Sequence, residues 1–183
     1  VAGAFATVRR CSSTAGAVVR DEDSVVAVET TASRVQPAIR DQSGDVPLDP
    51  LQRGGVHLVA YGRHGQHAWT EVVGADVRGV HLASGAHGLV VAGTFATAAL
   101  ALGDAEVPPL APGRRSAFVA SWDPGAGLRW GLRGVGSVVP KALDVGGGRV
   151  VVAARVQRGD GPPAFETRPG GGLHPISDEA GLW

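Results

Sequence analysis

Short apolar runs separated by glycine-containing breaks dominate this chain, and one stretch is especially regular. The break Ser84–Gly88 between two such runs predicts a β-hairpin, because β-branched runs around a glycine-containing turn are typical of paired strands. Further along, Pro124 followed by Gly125 predicts a tight reversal. No sustained helical period of 3.6 residues accompanies these signals. The pattern predicts an antiparallel unit of four short strands, at Val80–Ala83, Leu89–Phe95, Ala117–Trp122 and Leu128–Leu132.

Similar runs recur at intervals of about 60 residues. Trp69 and Trp130 lie 61 residues apart in matching phrases, and Val1–Thr7 matches Val91–Thr97 at six of seven positions. Large aromatic residues at fixed places in short strands usually pack between neighbouring sheets, so we expect this role for both tryptophans. Repetition at this period predicts stacked units that bury their apolar faces against one another.

The first unit is longer than the second by about 30 residues, which fall within roughly Arg9–Gly55. This insertion contains the chain's single cysteine, Cys11, and the acidic run Asp21–Asp23. No histidine lies near Cys11 in the sequence, so we expect an inert thiol. Insertions in repeat proteins map to surface loops that often lie on the binding face. We therefore expect a surface loop here, apart from Val25–Val28, whose composition predicts a strand.

The best-preserved unit resembles a known family. Its pattern is Gly-x-Val-Val-Ala-Gly-x-Phe, then Leu-Gly, then Ala-Phe-Val-Ala-x-x-Asp and Gly-x-x-Trp, found at Gly88–Phe95, Leu102–Gly103, Ala117–Asp123 and Gly127–Trp130. This pattern is similar to the bacterial β-propeller repeat family of the SBBP type, with the best match over residues 78–156. The resemblance implies a propeller, frequently found on exported or surface proteins, with no common activity. An extracellular or cell-surface location is expected on this ground alone.

We predict an all-β chain that forms a partial β-propeller of about three four-stranded blades, incomplete at both termini. This single fragment, 1–183, divides into unit 1 at about 1–76 with the insertion at about 9–55, unit 2 at about 77–137 and unit 3 at about 138–183. A closed propeller typically has at least about four blades, and open strand edges tend to pair with other chains. We therefore expect a fragment or processed chain of a longer protein.

The missing blades define the expected partners. They are other segments of the same protein, or further chains, that complete the propeller through both termini. Val1–Thr7 and Leu182–Trp183 are the segments expected to add to sheets completed by other polypeptide. No specific ligand is indicated.

Composition is that of a globular protein and narrows the partners further. Of 183 residues, 44% are hydrophobic and 19% charged, and 17 acidic residues balance 17 Lys and Arg. Without a basic stretch we expect no nucleic-acid partner, and no apolar run approaches the roughly 20 residues of a membrane span. A single cysteine excludes an internal disulfide framework. All but one of the basic residues are arginine, which together with abundant Ala, Gly and Val indicates a bacterium with a high-GC genome.

Candidate chemistry is sparse. His57, His64 and His67 lie within eleven residues, and two imidazoles three residues apart can chelate a metal where the backbone curls. No carboxylate or thiol lies close by in sequence, so ordinary polar turn residues are the better interpretation. Ser43 precedes Asp45, the wrong order for a trypsin-like serine hydrolase. We assign no catalytic, cofactor-binding or metal-binding residue and expect no cofactor.

Three functional interpretations follow. The repeats, the balanced charge and the lack of convergent catalytic groups favour a protein-interaction or scaffold module, part of a larger β-propeller with no catalytic activity of its own. The first alternative is a recognition or regulatory domain of a longer enzyme. The second is a carbohydrate-binding propeller lectin, or a propeller enzyme, with a site in the central channel or between blades. Fold alone does not choose among them.

Overall fold

A computed structural model describes residues 15–20, 24–30, 38–50, 54–62, 64–85, 88–96, 100–102, 105–107, 115–123, 127–135, 138–156, 164–166 and 173–175. Within these residues the chain is all-β, as the sequence predicts, and has no helix. The strands are β1 (Ala15–Arg20), β2 (Ser24–Thr30), β3 (Ala38–Arg40), β4 (Asp45–Pro47), β5 (Gly55–Tyr61), β6 (His67–Ala75), β7 (Arg78–Gly85), β8 (Gly88–Phe95), β9 (Leu100–Leu102), β10 (Ala105–Val107), β11 (Ser116–Asp123), β12 (Gly127–Val135), β13 (Val138–Gly146), β14 (Arg149–Val156), β15 (Ala164–Glu166) and β16 (Leu173–Pro175). Cys11, Val1–Thr7 and Leu182–Trp183 lie outside the described residues.

The chain divides into two compact units, residues 1–80 and 81–183. In the first, four antiparallel strands form a sheet in the order β1-β2-β5-β6. Every residue of β5 is buried, which explains why its sequence is mostly apolar on both faces, with His57 as the polar exception in its middle. The small hairpin β3–β4 interrupts the connection from β2 to β5.

Part of the predicted insertion belongs to the sheet itself. β2 is an inner strand that pairs with β1 on one side and with β5 on the other, and its Ala27 is fully buried. The strand predicted at Val25–Val28 is confirmed. The expectation of a surface loop for the rest of the insertion is wrong for β1, because this short run also pairs in the sheet.

The second sheet contains the four strands that the sequence predicts most clearly. β7, β8, β11 and β12 include the predicted runs and are neighbours within a six-stranded sheet of order β16-β15-β12-β11-β8-β7. The hairpin β9–β10 interrupts the connection from β8 to β11, at the place that β3–β4 holds in the first unit. The reversal predicted at Pro124 and Gly125 lies outside the described residues.

The two sheets share the register of their third and fourth strands. Ala60 pairs with Trp69 in the first sheet, and Ser121 pairs with Trp130 in the second. In both sheets the register shifts directly after these pairs, as it does at a β-bulge. The two tryptophans therefore occupy matching positions, as their spacing in the sequence suggests.

β2 and β8 also match each other. His57 and Phe118 each lie three residues before the tryptophan's partner, and they pair with Val28 of β2 and Gly93 of β8. In each sheet the second strand (β2 or β8) thus pairs antiparallel with the third strand (β5 or β11), and the register is the same in both sheets. The position of His57 in the first sheet is the position of Phe118 in the second.

The positions of β14 can be matched to those of β2, because each of these strands pairs with the strand that precedes it in the chain and both pairings have a register shift. The pairing of β1 with β2 shifts directly after Ala15, which lies opposite Val28. The pairing of β13 with β14 shifts directly after Pro140, which lies opposite Ala154. In this alignment the sequence Val-Val-Ala falls at the same place in β2, β8 and β14, at 25–27, 90–92 and 151–153.

The hairpin β13–β14 packs against one face of the second sheet. A buried apolar cluster joins them, formed by Val90, Ala92, Ala117, Val119 and Val138, with Trp130, Leu132, Leu143, Val145, Val150, Val152 and Ala154 packed against it. Trp130 therefore has the packing role that the sequence predicts. The described sheets are small and open. β15 and β16, which fall in predicted unit 3 at about 138–183, join the second sheet beyond β12 rather than the hairpin β13–β14.

Candidate functional site

Segment 38–50, which contains the hairpin β3–β4, covers one face of β5. A buried apolar cluster joins the two, formed by Ile39, Leu48, Val59 and Tyr61, with Val46 packed against it. Because alternate residues of a strand share a face, His57 lies on the same side of β5 as Val59 and Tyr61. The covered face therefore includes two polar side chains.

A tight turn closes the β3–β4 hairpin. The amide of Asp41 donates to the carbonyl oxygen of Gly44 at 2.9 Å. Oδ1 of Asp41 accepts from the amide and hydroxyl of Ser43 at 2.7 and 2.6 Å, and from the amide of Gly44 at 3.1 Å. An aspartate that accepts hydrogen bonds from the next amides stabilises a turn, so both Asp41 and the Ser43 hydroxyl organise this hairpin.

Asp41 also connects the hairpin to β6. Its Oδ2 accepts a hydrogen bond from the amide of His67 at 2.9 Å. The hydrogen bond from the Ser43 hydroxyl, followed by that from the His67 amide, lowers the pKa of Asp41 from 3.8 to about 2. The carboxylate is therefore ionised at neutral pH, and its hydrogen bonds hold segment 38–50 against the sheet.

His57 is fully buried beneath segment 38–50. Its Nε2 lies 2.9 Å from the carbonyl oxygen of Asp49. Since a carbonyl oxygen only accepts, Nε2 is the protonated nitrogen and Nδ1 is an acceptor. Nδ1 is buried and has no hydrogen-bond partner in the described part of the chain. Burial lowers the pKa of His57, so the imidazole is neutral at pH 7.

Tyr61 is 6% exposed, and its buried hydroxyl has no hydrogen-bond partner among the described residues. Burial, and after it the negative charge of Asp41, raises the pKa of Tyr61 to about 12. The ring of His67 meets that of Tyr61 edge to face, with centroids 6.5 Å apart. Nε2 of His67 lies 2.7 Å from Oγ1 of Thr70. An unpaired buried hydroxyl costs about 1–3 kcal/mol, which the surrounding apolar packing has to offset.

The three neighbouring histidines have separate environments. His57 is buried on β5, His67 begins β6, and His64 is exposed on the turn between these strands. Among the described residues, no group of three His, Cys, Asp or Glu side chains could hold a metal ion. The interpretation as a polar turn residue is right for His64 and wrong for His57, which occupies the core position of Phe118. The 61-residue spacing from Phe118 was the signal in the sequence that could have identified it.

β14 differs from its matching strand β8 in exposure. Val90, Val91 and Ala92 of β8 are fully buried, whereas the matching residues of β14 are all partly or fully exposed, at 151–153. At the end of the strand, Val156 is 39% exposed. β8 pairs on both sides, but among the described strands β14 pairs only with β13. The open edge of β14, meaning the side that is not paired with β13, is a candidate interaction surface.

Similarity to other proteins adds nothing to this site. No protein-family model matches the chain, and neither a curated protein nor a solved structure matches it. In the described part of the chain, no helix is long and apolar enough to cross a membrane. The resemblance to the bacterial propeller repeat therefore stays a prediction, and the functional argument rests on the sheets, on segment 38–50 and on the open edge of β14.

Proposed function

We propose that the chain is a protein-interaction or scaffold module, part of a larger β-propeller, with no catalytic activity of its own. Its partners are other segments of the same protein, or further chains, that complete the propeller. The main supporting observation is the matching register of β2, β8 and β14, because β2 and β8 each continue into a sheet with a third and a fourth strand.

Consecutive four-stranded antiparallel sheets are the units from which propellers are built. The order β1-β2-β5-β6 fits this description, and the second sheet contains the run β7-β8-β11-β12 with β15 and β16 added beyond β12. β13–β14 matches the first two strands of a further unit. The hairpin β13–β14 also lies face to face with the second sheet through an apolar cluster. Such packing between one unit and the start of the next supports a repeated architecture.

The polar groups with shifted pKa values support a module rather than a reactive site. Asp41 accepts hydrogen bonds from the turn and from β6, and His57 donates to the carbonyl oxygen of Asp49. An acid–base pair would need both groups within reach of one substrate atom. Here the same groups are used to hold segment 38–50 in place, which is a structural role.

Sedimentation velocity of the chain over a range of concentrations tests the proposal. We expect concentration-dependent association, because open strand edges pair with other strands. A monodisperse monomer at every concentration would overturn the module interpretation. A parallel thermal-shift screen with sugars and metal ions should show no ligand-specific stabilisation; a saturable shift with one sugar would overturn the proposal in favour of a lectin.

A further inference from the structure

The open edge of β14 matches an edge that is filled in both complete sheets. β2 and β8 are paired with their third strands, β5 and β11, along Ser24–Thr30 and Leu89–Phe95. The matching part of β14 is Val150–Val156, and in the described residues no third strand lies beside it. β14 carries Arg149 and Arg155, where β8 has no charged residue, but its partly or fully exposed segment at 151–153 is the same Val-Val-Ala that is buried in β8.

The two filled edges show what kind of strand fits. β5 is buried throughout, and β11 is buried from Ser116 to Ser121, so the fitting strand is mostly small or apolar on both faces, with His57 of β5 as the polar exception. Each third strand also has a large aromatic residue at the same place. Tyr61 lies opposite Ser24, and Trp122 lies opposite Leu89. The position of β14 that matches Ser24 and Leu89 is Val150.

We infer that the open edge of β14 binds one extended antiparallel strand from a further unit of this kind, with a large aromatic residue opposite Val150. This inference rests on the proposed module function and specifies its partner. Main-chain hydrogen bonds along the edge supply affinity, and side chains on alternate faces supply specificity, as in other cases of strand addition. The aromatic residue fixes the register, because a shift of one residue would place it on the other face.

A labelled peptide with the sequence of Ser116–Asp123 is a suitable probe, because β11 fills the matching edge of β8. Fluorescence anisotropy with the unaltered chain should show saturable binding. A peptide carrying Ala120→Pro should not bind, since proline lacks the amide and disrupts an extended strand. A peptide carrying Trp122→Ala should bind about tenfold more weakly, equal to a loss of about 1.4 kcal/mol.

Two variants of the chain locate the binding edge. Ala142 of β13 and Ala153 of β14 are exposed and lie directly opposite each other. Lysine on an edge strand discourages further pairing, so Ala153→Lys should weaken peptide binding clearly more than the matched control Ala142→Lys. Both peptide controls use the unaltered chain, so that part of the test does not depend on how the variants fold.

Two results would overturn the inference: no saturable binding of the Ser116–Asp123 peptide, or equal effects of the two lysine variants. If the peptide fails to bind while the chain still associates in sedimentation, the assignment to β14 is wrong and the module function stands. If the chain is a monomer at every concentration and the peptide binds the open edge of β14, the module function is overturned and the strand-binding edge of β14 stands on its own.

Discussion

Matching sheets in the two units are covered in different ways. In the second unit the hairpin β13–β14 packs on the sheet through an apolar cluster. In the first unit, segment 38–50 covers the opposite face of the matching sheet and combines apolar packing with hydrogen bonds of Asp41 and His57. The comparison shows that one strand register accommodates both kinds of cover. It also implies that the cover in the first unit depends on protonation state.

The matching positions of His57 and Phe118 express this difference most clearly. Phe118 meets Phe95 edge to face, with ring centroids 6.2 Å apart, and such aromatic pairs contribute about 0.5–1.5 kcal/mol beyond their buried area. His57 has one hydrogen bond, from Nε2, and a buried Nδ1 that has no partner among the described residues. We therefore expect the second sheet to be the less tolerant of change at this position.

The largest expected effect is that of Phe118→Ala, which leaves a cavity and removes the contact with Phe95. Truncation of a buried phenylalanine costs about 3–5 kcal/mol. Urea unfolding followed by NMR amide signals of β11 should show this loss, and Phe118→Leu should retain most of the stability. A loss below about 1 kcal/mol would contradict the packing described here.

Gly85→Ala should have the next largest effect, because it disturbs the apolar cover of the second sheet. A Cβ atom at Gly85 would lie 2.6 Å from Cγ1 of Val145, whose branched side chain has little freedom to move. Overpacking of this kind costs about 1–3 kcal/mol. Gly146→Ala is the matched control, since a Cβ atom there meets nothing within 4 Å. Equal stabilities of the two variants would show that β7 and β13 are not this close.

His57→Phe gives the first sheet the residue type that the second sheet has at the matching position. It should remove a pH dependence of the free energy of unfolding. The pKa of folded His57 is lowered by burial, so below its ordinary value of 6.5 the unfolded chain takes up a proton that the folded chain does not. The free energy of unfolding should therefore fall as the pH drops below about 6.5, by at most about 1.4 kcal/mol per pH unit for this one proton. Unfolding of the first unit measured between pH 8 and pH 5 should show this slope.

The control for that slope is His64→Gln, because His64 is exposed on a turn. This variant should keep the slope of the unaltered chain, whereas His57→Phe should flatten it. An unchanged slope in His57→Phe would mean that another group is responsible for the pH dependence.

Asp41→Asn should have the smallest effect, because solvent screens the interactions of this carboxylate. The folded pKa of Asp41 is lowered to about 2, so its contribution is present above 3.8 and is lost as the pH falls towards about 2. Near neutral pH the free energy of unfolding of this variant should be lower than that of the unaltered chain. The difference should shrink as the pH falls towards about 2, because Asp41 of the unaltered chain is then protonated. Unfolding at pH 7 and pH 2.5 measures both. A stability difference that stays constant between these two pH values would contradict the hydrogen bonds to ionised Asp41.

The strands β7, β8, β11 and β12 could be predicted from the sequence, because each is an apolar run between glycine-containing breaks. β2 was harder to place in the repeat, although Val25–Val28 was recognisable as a strand. Val1–Thr7 matches Val91–Thr97 more closely in sequence than β2 does, so residue identity alone does not align the Val-Val-Ala of β2 with that of β8. Strand order and register, rather than identity of residues, align β2 with β8.

The site was less predictable than the fold. Strands of three residues such as β3 and β4 are too short to show any period, so the cover on β5 had no signal in the sequence. The hydrogen bond from the His67 amide to Asp41 joins residues 26 positions apart, so no local pattern predicts it, whereas the turn from Asp41 to Gly44 is local. His57 could have been identified as a core residue by its spacing from Phe118, but its nearness to His64 and His67 suggested a turn.

Residue-resolved amide hydrogen exchange tests the central claim most directly. The claim is that β2, β8 and β14 occupy matching positions, and that among the described residues only β14 of these three has an open edge. Both sets of alternating amides in β2 and β8 should exchange slowly, because these strands are paired on both sides. In β14, the amides that do not bond to β13 should exchange much faster than their neighbours. Slow exchange of every β14 amide, equal to that of β8, would contradict the account.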